Sequence, residues 1–148
     1  MSDADAGPRR ASGTSRRIAR VLVIDDETLI GELLRQALSD EFEVTATTDP
    51  IEALGWLTWG DWYDVIFCDV MMPTMNGLEL RDRVADVRPD LAIRIVFVTG
   101  GIVLEHLRRR MAEVPNTVLE KPFDFASLRE MIRRRTSSRP PPRRTARV

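Results

Sequence analysis

With 148 residues, of which 43% are hydrophobic and 30% charged, the chain has the size and balance of one soluble globular domain with a sizeable core. No apolar run approaches the roughly 20 residues of a membrane helix, the polar start lacks a signal-peptide core, and a single cysteine excludes an internal disulfide and suits a reducing cytoplasm. The net charge of −1 hides an acidic body between basic ends: residues 1–20 carry +3 and residues 133–148 carry +7, which leaves −11 for residues 21–132.

Residues 1–17 are rich in Ser, Gly, Ala and Arg without periodicity and read as a disordered leader or linker. A first strand is expected at about 20–25, where the apolar run Val21-Leu-Val-Ile24 ends in Asp25-Asp26. Thr28 is expected to cap a helix whose apolar positions Leu29, Ile30, Leu33, Leu34, Ala37 and Leu38 recur at helical spacing. Phe42 to Ala46 alternates like a strand near a sheet edge, and Asp49-Pro50 pairs an N-cap with a proline at the first helical position, opening a helix to about Leu57. Val65-Ile-Phe-Cys68 is a continuous apolar run, short enough for a strand buried on both faces, and it stops at Asp69. Pro73 and Gly77 then mark a loop, and a third helix runs from Gly77 to Val87, closed by Arg88-Pro89. Ile93 to Val98 is a further strand, ending in Thr99-Gly100-Gly101, and Ile102 to Glu113 a fourth helix. Val118-Leu119 is a short last strand before Glu120-Lys121-Pro122-Phe123, and Asp124 caps a fifth helix that turns Leu128, Met131 and Ile132 inward. From about Thr136 the Ser-, Pro- and Arg-rich end lacks the apolar residues for a core and reads as a disordered tail. Strands alternating with helices of this length imply an α/β fold with a parallel, doubly wound sheet.

In such sheets ligands gather at the carboxyl ends of the strands. Asp25, Asp26, Asp69, Thr99 and Lys121 all fall there, and Lys121 is the only lysine beside 21 arginines. Three clustered carboxylates repel one another, which raises at least one pKa and invites a hard divalent cation. Cys68 and the tryptophans Trp56, Trp59 and Trp62 read as core and rim packing, Met71, Met72 and Met75 as loop packing, and His106 and Arg108-Arg109-Arg110 as surface.

The set Asp25-Asp26, Asp69 with Met72-Pro73 and Gly77, Thr99, and Lys121-Pro122, at these separations, resembles the receiver domain of bacterial response regulators in two-component signalling, over residues 18–135. The resemblance implies a CheY-like, flavodoxin-like sheet of order 2-1-3-4-5 with five helices. It implies Asp69 as phosphoacceptor from a sensor histidine kinase or histidine phosphotransfer protein. Mg²⁺ would be held by Asp26, Asp69 and the backbone carbonyl of Met71, with Asp25 acting through water. Lys121, ahead of a cis proline bond, and Thr99 would contact the phosphoryl oxygens, and Gly100 would leave room for the group to enter. Such a domain is a signalling phosphoacceptor rather than an enzyme, catalysing only its own phosphorylation and dephosphorylation, and it speaks to a downstream protein through the face of Thr99, the fourth helix and the fifth strand.

One position departs from the family. An aromatic residue commonly stands three places before the lysine, where this chain has Val118. Val-Leu-Glu-Lys-Pro-Phe after Thr-Gly-Gly resembles receivers of hybrid histidine kinases, and the short remainder after residue 135 is expected to hold no DNA-binding or other output domain. Two other classes fit less well. An aspartate-nucleophile phosphohydrolase of the haloacid-dehalogenase type wants Asp-x-Asp, whereas Asp25 is followed at that spacing by Glu27. A nucleic-acid binder is opposed by the acidic body, although the basic tail offers a contact for an acidic partner.

Overall fold

The apolar runs pair in parallel. The computed structural model describes residues 17–136, so that the leader and tail lie outside the described residues except for Arg17 and Thr136. Its strands are β1 (Arg20–Ile24), β2 (Glu43–Thr47), β3 (Val65–Asp69), β4 (Ile95–Thr99) and β5 (Val118–Glu120), in a five-stranded sheet of order β2-β1-β3-β4-β5. Side chains alternate across the strands as the period of two requires. In β1, Leu22 and Ile24 face a core shared with α2 (Pro50–Thr58), α3 (Gly77–Val87) and α5 (Glu105–Glu113), through residues such as Leu57, Leu80, Val84 and Leu107. Val21 and Val23 face the opposite core, filled by Leu34 and Leu38 of α1 (Thr28–Leu38) and by Leu128 and Ile132 of α6 (Phe125–Thr136). Every residue of β3 is buried, and each of its large apolar side chains is worth about 1.5–3 kcal/mol on removal from water.

The register decides what happens at the carboxyl edge. Ile24 lies opposite Cys68, so the residues that follow, Asp25 and Asp69, hold equivalent places on adjacent strands. Asp69 pairs with Val98, and Thr99 with Glu120, which puts Lys121 just past the end of β5. β1 and β3 are neighbours whose connections leave in opposite directions, so the two aspartates flank the switch point of the sheet.

Local details depart from the sequence reading. A sixth helix, α4 (Pro89–Ala92), occupies the place where a stop was expected. Pro89 fits its first turn, Leu91 and Ala92 are buried, and Asp90 pairs with Arg88. β4 accordingly starts at Ile95 rather than Ile93. The helix expected from Ile102 begins at Glu105, because Gly101 adopts φ 91° and Ile102 is 90% exposed. Thr28 is the first residue of α1 rather than its cap. Glu27 holds the cap place without a side-chain bond, while its N–H donates to Asp25 Oδ1 at 2.9 Å. Asp49 and Asp124 do cap, accepting from Ile51 N at 2.9 Å and Ala126 N at 3.1 Å. Cys68 and Trp62 are buried, His106 is exposed, and Trp59 stands 69% exposed at the end of α2.

Candidate functional site

Three carboxylates, from Asp25, Asp26 and Asp69, offer oxygens that all lie within 4.8 Å of one another. Asp25 and Asp69 are buried, at 3% and 8% exposure, whereas Asp26 faces solvent. Lys121 reaches the cluster from beyond β5, with its Nζ 3.0 Å from Asp25 Oδ2. Asp69 Oδ1 accepts from the N–H of Met71 at 3.2 Å. Burial pushes the Asp69 carboxyl up to about 6, the nearby charge of Asp25 adds to this, and the Lys121 charge and Met71 N–H offset only part of it. At Lys121 burial works against the ammonium, but the hydrogen bond and charge of Asp25 win and hold its pKa above the ordinary lysine range. The Lys121–Pro122 bond is cis, as expected.

Two glycines shape the space. A Cβ on Gly77 would lie 2.7 Å from the carbonyl oxygen of Asp69, so this position lets α3 start hard against the end of β3. The loop between them tucks Met72 and Met75 into the core and leaves Met71 39% exposed. A Cβ on Gly100 would lie 2.8 Å from Cδ of Lys121, so the absence of a side chain there is what lets the lysine cross to Asp25. Thr99 sits at the same edge, with its hydroxyl turned toward the Leu119 carbonyl at a long 3.5 Å. All five side chains expected at the site are thus brought to one edge, and Met71 follows two places after Asp69.

A family profile described as the response regulator receiver domain matches residues 21–133. The chain belongs to this family. Among curated relatives, the DNA-binding transcriptional regulator NtrC of Azospirillum brasilense is 34% identical over 125 residues, covering 84% of this chain and 25% of that protein. The chain spans between 23% and 55% of the length of such relatives. Among solved structures, the Vibrio cholerae chemotaxis protein CheY4 shows 28% identity and a TM-score of 0.66, covering 79% of this chain and 98% of that one. The receiver domain of a sensor histidine kinase from Pseudomonas aeruginosa PAO1, solved with a magnesium ion coordinated in its active-site cleft, is alike in fold, with a TM-score of 0.70, 20% identity and coverage of 82% and 99%.

The receiver also holds a polar cluster that sequence reasoning missed, at the other end of β3. Asp64 is fully buried. Its carboxylate accepts from Arg17 Nη1 at 2.9 Å, Arg20 N at 2.8 Å and Trp62 Nε1 at 3.3 Å. Arg94 bridges the backbone carbonyls of Asp64 and Arg135 at 3.3 and 3.2 Å and stacks on the Trp62 ring at 4.8 Å. Asn116, also buried, donates to the carbonyls of Ala92 and Ile95, both at 2.8 Å, and accepts from Arg81 at 3.2 Å. No helix among the described residues is long and apolar enough to cross a membrane.

Proposed function

We propose that Asp69 of this receiver accepts the phosphoryl group, taken from a phosphohistidine on a sensor histidine kinase or a histidine phosphotransfer protein. A carboxylate oxygen of Asp69 attacks phosphorus, the P–N bond breaks with its electron pair returning to the imidazole, and an acyl phosphate results. The observation that carries this reading is the meeting of three carboxylates and one lysine at the switch point of the sheet. The donor set fits Mg²⁺: hard oxygens, two of them on buried and mutually repelling groups, in a cleft with one solvent-facing member. Asp26, Asp69 and the Met71 carbonyl would hold the ion, with Asp25 assisting through water. When bound, Mg²⁺ supplies positive charge opposite the oxygens of the transferring group.

The chain's own residues do the rest. Lys121 stands ready to shift its ammonium from Asp25 toward a phosphoryl oxygen, balancing charge where phosphoryl transfer needs it. Thr99 gives up its weak bond to the Leu119 carbonyl and donates to the phosphoryl group instead. The change is read on the face of Thr99, α5 and β5 by a downstream protein. With Mg²⁺ and a small-molecule phosphodonor, the protein gains one phosphoryl group, labile to alkali, and Asp69→Asn abolishes the gain. The same labile label recovered from Asp69→Asn would remove Asp69 from the assignment.

A further inference from the structure

Ile102 is the most exposed large apolar side chain among the described residues, at 90%, and it stands at the mouth of a cavity between α5 and β5. The cavity measures about 250 Å³, and Gly101 and Val103, on either side of Ile102, both line it. Val103, Met111 and Val118 form its apolar wall, and Thr99 and Lys121 also border it. At about 30 Å³ per water the space equals roughly eight waters, ample for an isoleucine side chain. Gly101 is what turns Ile102 away from this space. Its φ of 91° is a conformation that glycine adopts about as readily as the negative one, and other residues rarely adopt. A Cβ there would meet nothing within 4 Å, so the backbone turn, and not crowding, calls for glycine.

Building on the phosphoacceptor role of Asp69, we propose that Ile102 is a lid, hinged at Gly101, that swings into this cavity when the phosphoryl group arrives. Before that, the Thr99 hydroxyl faces the Leu119 carbonyl at 3.5 Å, and Lys121 Nζ lies 3.0 Å from Asp25 Oδ2. Both groups turn toward a phosphoryl group on Asp69, and the room they leave at the inner end is filled from the mouth. Ile102 is the apolar side chain placed to fill it, and its removal from water favours the closed form. It packs on Met111 and Val118 and draws Val103 and the start of α5 along with it, since they follow directly in the chain. Val118 meets it through side-chain methyls, so the Val118 amide, set in the sheet, moves less than the amides of the loop.

The test is alkylation by iodoacetamide of the full chain carrying Ile102→Cys, with beryllofluoride occupancy read separately by fluorine NMR. Native Cys68 is fully buried and its thiol pKa is pushed up by that burial, so the introduced thiol is the reactive one. With Mg²⁺ and beryllofluoride, closure in about nine molecules of ten slows alkylation roughly tenfold. The thiol of Leu104→Cys, at a loop position 51% exposed, keeps its rate. Adding Val118→Trp fills the seat and abolishes the slowing, while Asp69 still accepts a phosphoryl group. Adding Gly101→Ala disfavours the positive φ and slows alkylation of Ile102→Cys without any mimic. An unchanged rate in the presence of a bound fluorine signal overturns the lid. So does equal slowing at Leu104→Cys, or slowing that persists with Val118→Trp. Absence of a bound fluorine signal removes the phosphoacceptor reading instead, and the Gly101→Ala arm then decides the lid alone, an unchanged rate there overturning it.

Discussion

Asp69 is held in a state it relaxes only by taking up a proton or a cation, and Asp69→Asn exposes the size of that tension. The carboxyl rises from 3.8 to about 6 on folding, through burial first and the charge of Asp25 second. A folded-state pKa above the unfolded one means the native protein binds the proton more tightly. The associated stability is fully present below about pH 4 and is lost as pH rises through about 6. Two pH units at 1.36 kcal/mol each make the loss on the order of 3 kcal/mol at neutral pH. Asparagine keeps an oxygen for the Met71 N–H while carrying no charge toward Asp25 and Asp26. Without divalent ions at about pH 7.5, Asp69→Asn should therefore be the more stable protein by up to about 3 kcal/mol, or roughly 10 °C in melting temperature for a domain of this size. The gap should close as pH falls toward about 4, where the parent carboxyl is protonated. Adding Mg²⁺ should narrow it from the other side, by stabilising the parent more than the variant. Thermal melts of both proteins across pH, with and without Mg²⁺, read all three trends. A variant no more stable than its parent at pH 7.5, or a gap independent of pH, would refute the account of Asp69.

Two other substitutions separate the poles of β3. Lys121→Ala should leave Mg²⁺ binding in place but weaken the structural response to phosphorylation, measured by amide chemical shifts with a phosphoryl mimic; an unchanged response would remove Lys121 from the signalling path. Asp64→Asn breaks a buried pair, for which roughly 3–5 kcal/mol is usual, and because Arg17 is 29% exposed the lower part of that range applies. Calorimetry should show the loss while phosphoacceptance well below the melting temperature stays as in the parent.

The sheet and the edge where the carboxylates meet Lys121 were legible because each strand announces itself as a short apolar run and each ends in a residue of unlike chemistry. Asp25, Asp69, Thr99 and Lys121 needed only the rule that such ends converge. Asp64 was hidden for the complementary reason. A carboxylate before an apolar run looks like a solvated turn residue, and its partners Arg17, Arg20 and Trp62 come from two separate segments that meet only in the folded chain. Asn116 is silent in the sequence in the same way, since what it binds are backbone carbonyls. The errors in helix limits came from apolar periodicity outrunning local geometry. Ile102 and Leu104 fit a helical pattern, yet both are more than half exposed in the loop that follows Gly101. Arg88-Pro89 was read as a stop, although a proline is equally at home in the first turn of the next helix.

On the proposed function, that loop is where phosphorylation of Asp69 would be read. Phosphorylation adds about two negative charges and new acceptor oxygens near Thr99 and Lys121. Thr99 has little to lose by turning to them, since its present bond is long. The residues that follow are free to move: a Cβ at Gly101 would meet nothing within 4 Å, and Ile102 is 90% exposed. Val118 offers no comparable swing, because valine is stiff about its first torsion, and it stands 41% exposed on the edge strand. The far end of α5 is restrained by the ion pair of Arg110 with Asp82 on α3, and the loop into β5 by the two carbonyl bonds of Asn116. α5 itself buries only Leu107 among its residues. A lever held at its C-terminal end and loosely packed along its length responds by moving its N-terminal end. Adding beryllofluoride and Mg²⁺ should therefore shift amide resonances most from Gly100 to Leu107, less at Arg110, and least at Val118. Large changes at Val118 and along β5, with Gly100 to Leu104 silent, would place the switch in the strand and overturn this reading.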